Sequence, residues 1–178
     1  MLGSNEIILR AVEPSDLETL YQWENNADIW GVSSTLTPFS KYNLKRFIEQ
    51  SALDIYEVKQ LRLMVDLKTG NGESQAIGTV DLFDFDPMHL RAGVGILIND
   101  SDKRGNGYAT QALRLLINYS FSVLRLHQLY CNVASDNKPS LKLFQNVGFE
   151  IVGCKKEWRK GVSGWVDEYV LQLLNRND

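Results

Sequence analysis

The sequence has little of what marks a secreted, membrane-spanning or nucleic-acid-binding protein. Its two cysteines, Cys131 and Cys154, cannot build a disulfide framework and show no metal-ligand spacing. Both lie in apolar stretches and read as reduced, structural thiols. No run of about 18 apolar residues occurs, which excludes an ordinary transmembrane helix. The chain opens on Met1-Leu2-Gly3-Ser4 without a basic region, a long hydrophobic core or a cleavage site, so no secretion signal is expected and the expected compartment is the cytoplasm. Charge of one sign is lacking as well. Nineteen basic against 22 acidic residues leave a net charge of -3, which gives no global field to draw nucleic acid or an anionic membrane. The two histidines, His89 at a turn and His127 at a strand start, read as structural or solvated, and no metal is expected.

What is present is an ordinary globular composition, 44% hydrophobic and 23% charged over 178 residues, enough for one domain with a substantial core running from about residue 6 to residue 174. Internal repeats, low-complexity tracts and linkers are absent. The pattern predicts an α/β fold with a mixed, mostly antiparallel sheet of about seven strands flanked by about four helices.

Residues 7–12 read as a strand, and Glu13-Pro14-Ser15-Asp16 as the start of a helix that continues through Leu17, Leu20, Tyr21 and Glu24. From Asn25 to Ser40 the period is lost and a loop with a short helical turn is expected. A second helix fits Lys41 to about Tyr56. Strands at 61–66, 76–85 and 91–98 should form an antiparallel meander, with polar turns at Lys68 to Glu73 and Asp86 to His89. The third of these strands, Gly93-Val94-Gly95-Ile96-Leu97-Ile98, is apolar on both faces, as a central strand should be. An amphipathic helix is predicted from Tyr108 to about Leu124 and a strand over 128–133. A helix opening at Asn137-Lys138-Pro139 should stop at Gly148, before strands over 150–159 and 165–174 around the turn Lys160 to Gly164.

Arg104-Gly105-Asn106-Gly107-Tyr108-Ala109 lies between a buried strand and a helix. Glycines admit close backbone approach, and free amides at a helix start attract phosphate. A tight strand-to-helix turn would need the same residues. The Walker pattern fails because Tyr108 and Ala109 follow Gly107, and the dinucleotide fingerprint fails at Thr110.

The loop resembles the acetyl-CoA loop of the GNAT superfamily of N-acetyltransferases, Arg/Gln-x-x-Gly-x-Gly/Ala, with Arg104, Gly107 and Ala109 at its defined positions. Asn137 to Phe149 is similar to the family's Asn-x-x-Ser, helix, Gly-Phe segment. The element order matches from about Ile7 to Leu174, and the spread of residues looks most like the branch of ribosomal-protein alanine and spermidine N-acetyltransferases. The resemblance implies acetyl-CoA as co-substrate and an amine acceptor. It implies that Ile96, Leu97 and Ile98 offer backbone groups to acetyl-CoA, and that Arg104, Gly105, Asn106, Gly107, Tyr108 and Ala109 hold the pyrophosphate. Asn137 and Ser140 would line the pantetheine side, although helix capping also accounts for both. The family's tyrosine acid falls at Phe144, and a homodimer stays open.

Acetyl transfer from a thioester needs a neutral amine, stabilisation of the carbonyl oxygen and a proton for the leaving thiolate. Phe144 has no proton to give, and Gly93 stands where the family often has a carboxylate. These departures keep a second reading open, an acyl-CoA-binding regulator without turnover; a nucleotide-binding module that shares only the glycine loop is a third. If the turn pairs Asp86 with Arg91, antiparallel counting puts Asp84 opposite Gly93, where it is the candidate catalytic base. The acceptor is expected between Asp28 to Tyr42 and the turn near Trp158 to Trp165, where Trp30, Phe39, Trp158 and Trp165 would pack around it. Asp28 is the one acid of the first segment, which does not favour a polycation.

Overall fold

A computed structural model describes residues 2–33, 35–70, 72–161 and 164–176. Asn71 of the polar turn and Val162 and Ser163 of the last turn lie outside the described residues, as do Met1, Ser34, Asn177 and Asp178. The elements run β1 (Leu2–Gly3), β2 (Ile7–Ala11), α1 (Leu17–Glu24), α2 (Ala27–Ser33), α3 (Lys41–Gln50), α4 (Ile55–Val58), β3 (Leu61–Lys68), β4 (Ser74–Asp86), β5 (Arg91–Ile98), α5 (Tyr108–Ser122), β6 (Gln128–Ala134), α6 (Lys138–Asn146), β7 (Glu150–Gly161) and β8 (Gly164–Leu174). They form one eight-stranded sheet in the order β1-β2-β3-β4-β5-β6-β8-β7. Every neighbouring pair is antiparallel except β5 and β6.

The expected meander of β3, β4 and β5 is present. The stretch read as a loop after Glu24 contains α2, and the expected long helix after Ser40 is broken. Ser40 caps α3 by accepting from the Asn43 amide at 3.1 Å. After Ser51, Asp54 caps the short α4 by accepting from the Tyr56 amide at 2.7 Å. A polar residue that can bond the backbone ends one helix and starts another, which apolar spacing does not reveal.

The main core fills the space between one sheet face and helices α5 and α6, with Val65, Leu82, Val94, Leu113, Leu116 and Leu129 all buried. On the other face Val12, Leu20, Ile48 and Met64 form a smaller cluster under α1 and α3. The middle strands are therefore covered on both sides, which explains the near-continuous apolar run of β5. Arg10 anchors the start of α1 to this layer. Its guanidinium donates to Asp16 at 2.7 and 2.8 Å and to Asp66 at 2.7 Å. Burial alone would raise the Asp16 carboxyl, but Arg10 and the Glu13 amide outweigh it and hold the group below the ordinary value.

Both cysteines are free, as expected, but only one is buried. Cys131 is buried, and burial pushes its thiol up to about 12. Cys154 is exposed, because it lies on β7, the edge strand of the sheet. No helix among the described residues is long and apolar enough to cross a membrane.

Candidate active site

Strands β5 and β6 pair only at Arg91 with Gln128, Ala92 with Leu129 and Gly93 with Tyr130. Beyond Gly93 they separate, so the β5 edge from Val94 to Ile98 has no partner on the β6 side. A strand edge with unpaired amides and carbonyls in the middle of a sheet is a place for an extended polar ligand. The glycine loop begins at the end of the same strand. Gly105 and Gly107 have φ of 77° and 84°, and space is open around both.

Gly107 is the residue before α5, and among the described residues no side chain caps that helix. The first amides of a 15-residue helix therefore keep their donors for a ligand, with the helix dipole behind them. Arg104 braces the loop, its Nε donating to the Ile98 carbonyl at 2.8 Å. Asn106 Nδ2 donates to the Asp102 and Arg104 carbonyls, both at 3.2 Å. Tyr108 and Ala109 pack against the core. At the start of α6, Asn137 Oδ1 accepts from the Ser140 amide at 3.2 Å. The loop and the free strand edge fit an acyl-CoA: donors for the pyrophosphate, then an exposed edge along which an amide-bearing pantetheine can run.

On the other side of the sheet a cavity of about 420 Å³ lies between α1, α2 and the strands. Trp23, Phe47 and Phe83 supply aromatic walls, while Gly95, Ile96 and Leu97 contribute the strand floor. Arg159 closes one end, donating from β7 to the Gly31 carbonyl at 3.0 Å. A three-membered ionic ladder crosses the cavity. Arg62 Nη1 meets Glu24 at 2.6 Å and Arg62 Nε meets Asp81 Oδ1 at 2.6 Å. Burial pushes the Asp81 carboxyl above its ordinary value; Arg62 opposes the rise and Glu24 adds to it.

Asp84 does not face Gly93. Asp86 pairs with Arg91 as expected, but a bulge between Phe83 and Asp86 shifts the register, and Phe83 stands opposite Gly93. Asp84 takes up the bulge with φ of 48° and accepts from the Tyr130 hydroxyl at 3.2 Å. It lines a separate depression of about 530 Å³ with Asp86, Arg91, Gln128 and Tyr130. The space left by Gly93 is filled by the Phe83 ring.

Phe144 lies inside the main core, 3% exposed and edge-on to Phe149 at 5.1 Å. Trp158 and Trp165 are exposed and, like Trp30 and Phe39, are not among the cavity's lining residues. Trp30 instead donates from its indole to the Glu24 carbonyl at 2.9 Å. The sequence reading missed Asp81, Arg62 and Glu24. Its available signal was the alternation of Thr79, Asp81 and Phe83 on one face of β4, beside a strand that carries Arg62.

An acetyltransferase (GNAT) domain model matches residues 6–150, and the chain belongs to that family. The Bacillus subtilis probable N-acetyltransferase YjcK is 33% identical, covering all of this chain and 99% of that protein. The spermidine N(1)-acetyltransferase of Escherichia coli K12 is 28% identical over 156 residues, 86% of this chain and 77% of that one. In fold, the spermidine N-acetyltransferase of Vibrio cholerae, solved with CoA and spermine, superposes with a TM-score of 0.84 at 24% identity over 96% of each chain. The chain is thus an amine N-acetyltransferase by family, with acetyl-CoA as co-substrate.

Proposed function

We propose that the protein moves the acetyl group of acetyl-CoA to a primary amine by direct attack in a ternary complex. The acceptor would enter beneath α1 and α2. The observation that carries this reading is the separation of β5 and β6 beyond Gly93, which leaves one free strand edge between the glycine loop and a cavity holding carboxylates. Ile96, Leu97 and Ile98 would bond the acyl and pantetheine amides. Residues 104–109 would take the pyrophosphate, and Asn137 and Ser140 the pantetheine side. Phe144 would contribute an apolar wall and no proton, so the leaving thiolate takes its proton from water.

Each acid at the cavity carries a cation already: Glu24 and Asp81 share Arg62, and Glu168 holds Lys155 at 3.1 Å. This favours an acceptor presenting one amine, a protein N-terminus or a small-molecule amine. Polyamines belong in the panel because of the spermidine-acetylating relatives. Release of CoA thiol from acetyl-CoA, followed against amino-terminal peptides, small amines and polyamines, tests the reading. A second reading, an acyl-CoA-binding regulator, is favoured by the absence of a side chain at Gly93 and of a hydroxyl at Phe144. Acetyl-CoA binding with no acceptor-dependent thiol release across the panel would select it.

A further inference from the structure

Asp81 stands in the middle of β4 directly across from Gly95. Its Oδ2 is 3.8 Å from where a side chain on Gly95 would begin. Gly95 has no side chain, so this oxygen overlooks the bare backbone of the strand whose other edge runs free of β6. The two oxygens of the carboxylate are held unequally. Oδ1 accepts from Arg62 Nε at 2.6 Å, while among the described residues Oδ2 has only a 3.5 Å contact with Nη2. One oxygen is fixed by the ladder, and the other retains accepting capacity towards the cavity.

We propose that Asp81 is the general base that takes the proton from the acceptor ammonium, with Arg62 and Glu24 as the residues that position it; this rests on the acetyltransferase reading above. Asp81 Oδ2 accepts one proton from R-NH3⁺. The freed nitrogen lone pair bonds to the thioester carbonyl carbon, the C–S bond breaks, and its electron pair stays on sulfur. A second nitrogen proton reaches the thiolate through water, and Asp81 returns its proton to solvent. The balance is ammonium plus thioester giving amide, thiol and one proton.

Other carboxylates near the site are less suited. Glu24 belongs to α1 and reaches Arg62. Glu168 is committed to Lys155 on β8 and β7. Asp84 lies in the other depression. Asp81 alone among these four both lines the cavity and lies on the strand paired with Ile96 and Leu97.

The groups that set its titration are Arg62 on β3 and Glu24 on α1, with Arg159 and Glu168 lining the far wall of the same cavity. An acid limb in kcat/KM should therefore report a carboxyl titrating above its ordinary value. Glu24→Gln removes a negative neighbour, so the limb should move to lower pH.

The test uses acetyl-CoA with whichever panel amine the wild type acetylates, over pH 5 to 9. Asp81→Asn should lower kcat/KM on the order of a hundredfold at neutral pH, with acetyl-CoA affinity by calorimetry unchanged. The loss should shrink as the amine deprotonates unaided, and Asp81→Glu should recover part of it. Should Asp81→Asn not fold, the limb in Glu24→Gln decides. A limb that stays in place in Glu24→Gln, or persists in a folded Asp81→Asn, overturns the assignment while leaving the transferase reading intact. Acetyl-CoA binding without turnover on any panel amine overturns both.

Discussion

The ring of Phe83 lies over Gly93, where the side chain of any other residue would have to go. The two are register partners, and the ring also reaches 3.8 Å from the position a side chain on Gly95 would take. The missing carboxylate of β5 is therefore a filled space and not a vacancy. Gly93→Glu should lower stability by at least about 2 kcal/mol through overpacking. Phe83→Ala in the same molecule should recover part of that loss, because the two sites share one volume. Urea unfolding of the single and double variants measures both effects. Equal stability for Gly93→Glu and the wild type would mean the ring moves freely aside.

Gly107 has φ of 84° with nothing within 4 Å of an added side chain. A side chain there meets no clash, and its cost is the left-handed backbone, about 1 kcal/mol. Gly107→Glu should stay folded and lose acetyl-CoA affinity at least about tenfold, since it sets a negative charge beside a pyrophosphate. Gly107→Asn tolerates the same backbone and should bind within about threefold of the wild type. Calorimetry of the two separates charge from conformation; equal affinity in both would move the pyrophosphate away from this loop.

The contrast between Gly107 and Asp84 shows where sequence reasoning reaches and where it stops. The loop, the helix start at Tyr108 and the cap at Asn137 depend on local chemistry, and local chemistry is written in adjacent residues. The pairing of β4 with β5 is also local, and counting from the turn gives Asp86 opposite Arg91 correctly. It fails past the bulge, because one extra residue in a strand moves every partner beyond it by one. Asp81 was legible only as a charge in a strand, which ordinarily faces water. Its place in a cavity depends on Arg62 of β3 and Glu24 of α1, brought together by the tertiary fold. Nothing in the spacing of α1 announces that its last residue will meet a strand arginine.

Arg10 supplies a pH prediction. Its guanidinium is shared by Asp16 and Asp66, whose side chains are 8% and 6% exposed. Arg10→Met should cost about 3 kcal/mol at pH 7, mostly from leaving two buried carboxylates without a cation. The Asp16 carboxyl is held below its ordinary value in the folded protein. Its contribution is therefore present above that ordinary value and is lost as pH falls through the folded one. The gap between variant and wild type should narrow as pH falls, starting above the ordinary carboxyl value, because without Arg10 burial raises the Asp16 carboxyl of the variant. Denaturation of both proteins across that range is the measurement, and a gap independent of pH would mean that packing, not charge, carries Arg10's contribution.

Asp84 and Asp81 are three residues apart and belong to different sites. Asp84 accepts from the Tyr130 hydroxyl at 3.2 Å, and burial together with this negative charge raises the Tyr130 hydroxyl above its ordinary value. Asp84→Asn keeps a side chain that suits the left-handed backbone and can still accept from Tyr130. It removes the charge alone. The Tyr130 titration, followed by NMR of labelled tyrosine, should then move down towards the ordinary value and stop short of it, because burial remains. Turnover should stay within about twofold of the wild type at neutral pH, against the hundredfold loss expected for Asp81→Asn. The same change of Asp to Asn, made at two positions of one strand, therefore distinguishes the two carboxylates by function. A large fall in turnover in Asp84→Asn, with Asp81→Asn unaffected, would assign the proton transfer to the depression that holds Tyr130 and would require the acceptor to approach from that side.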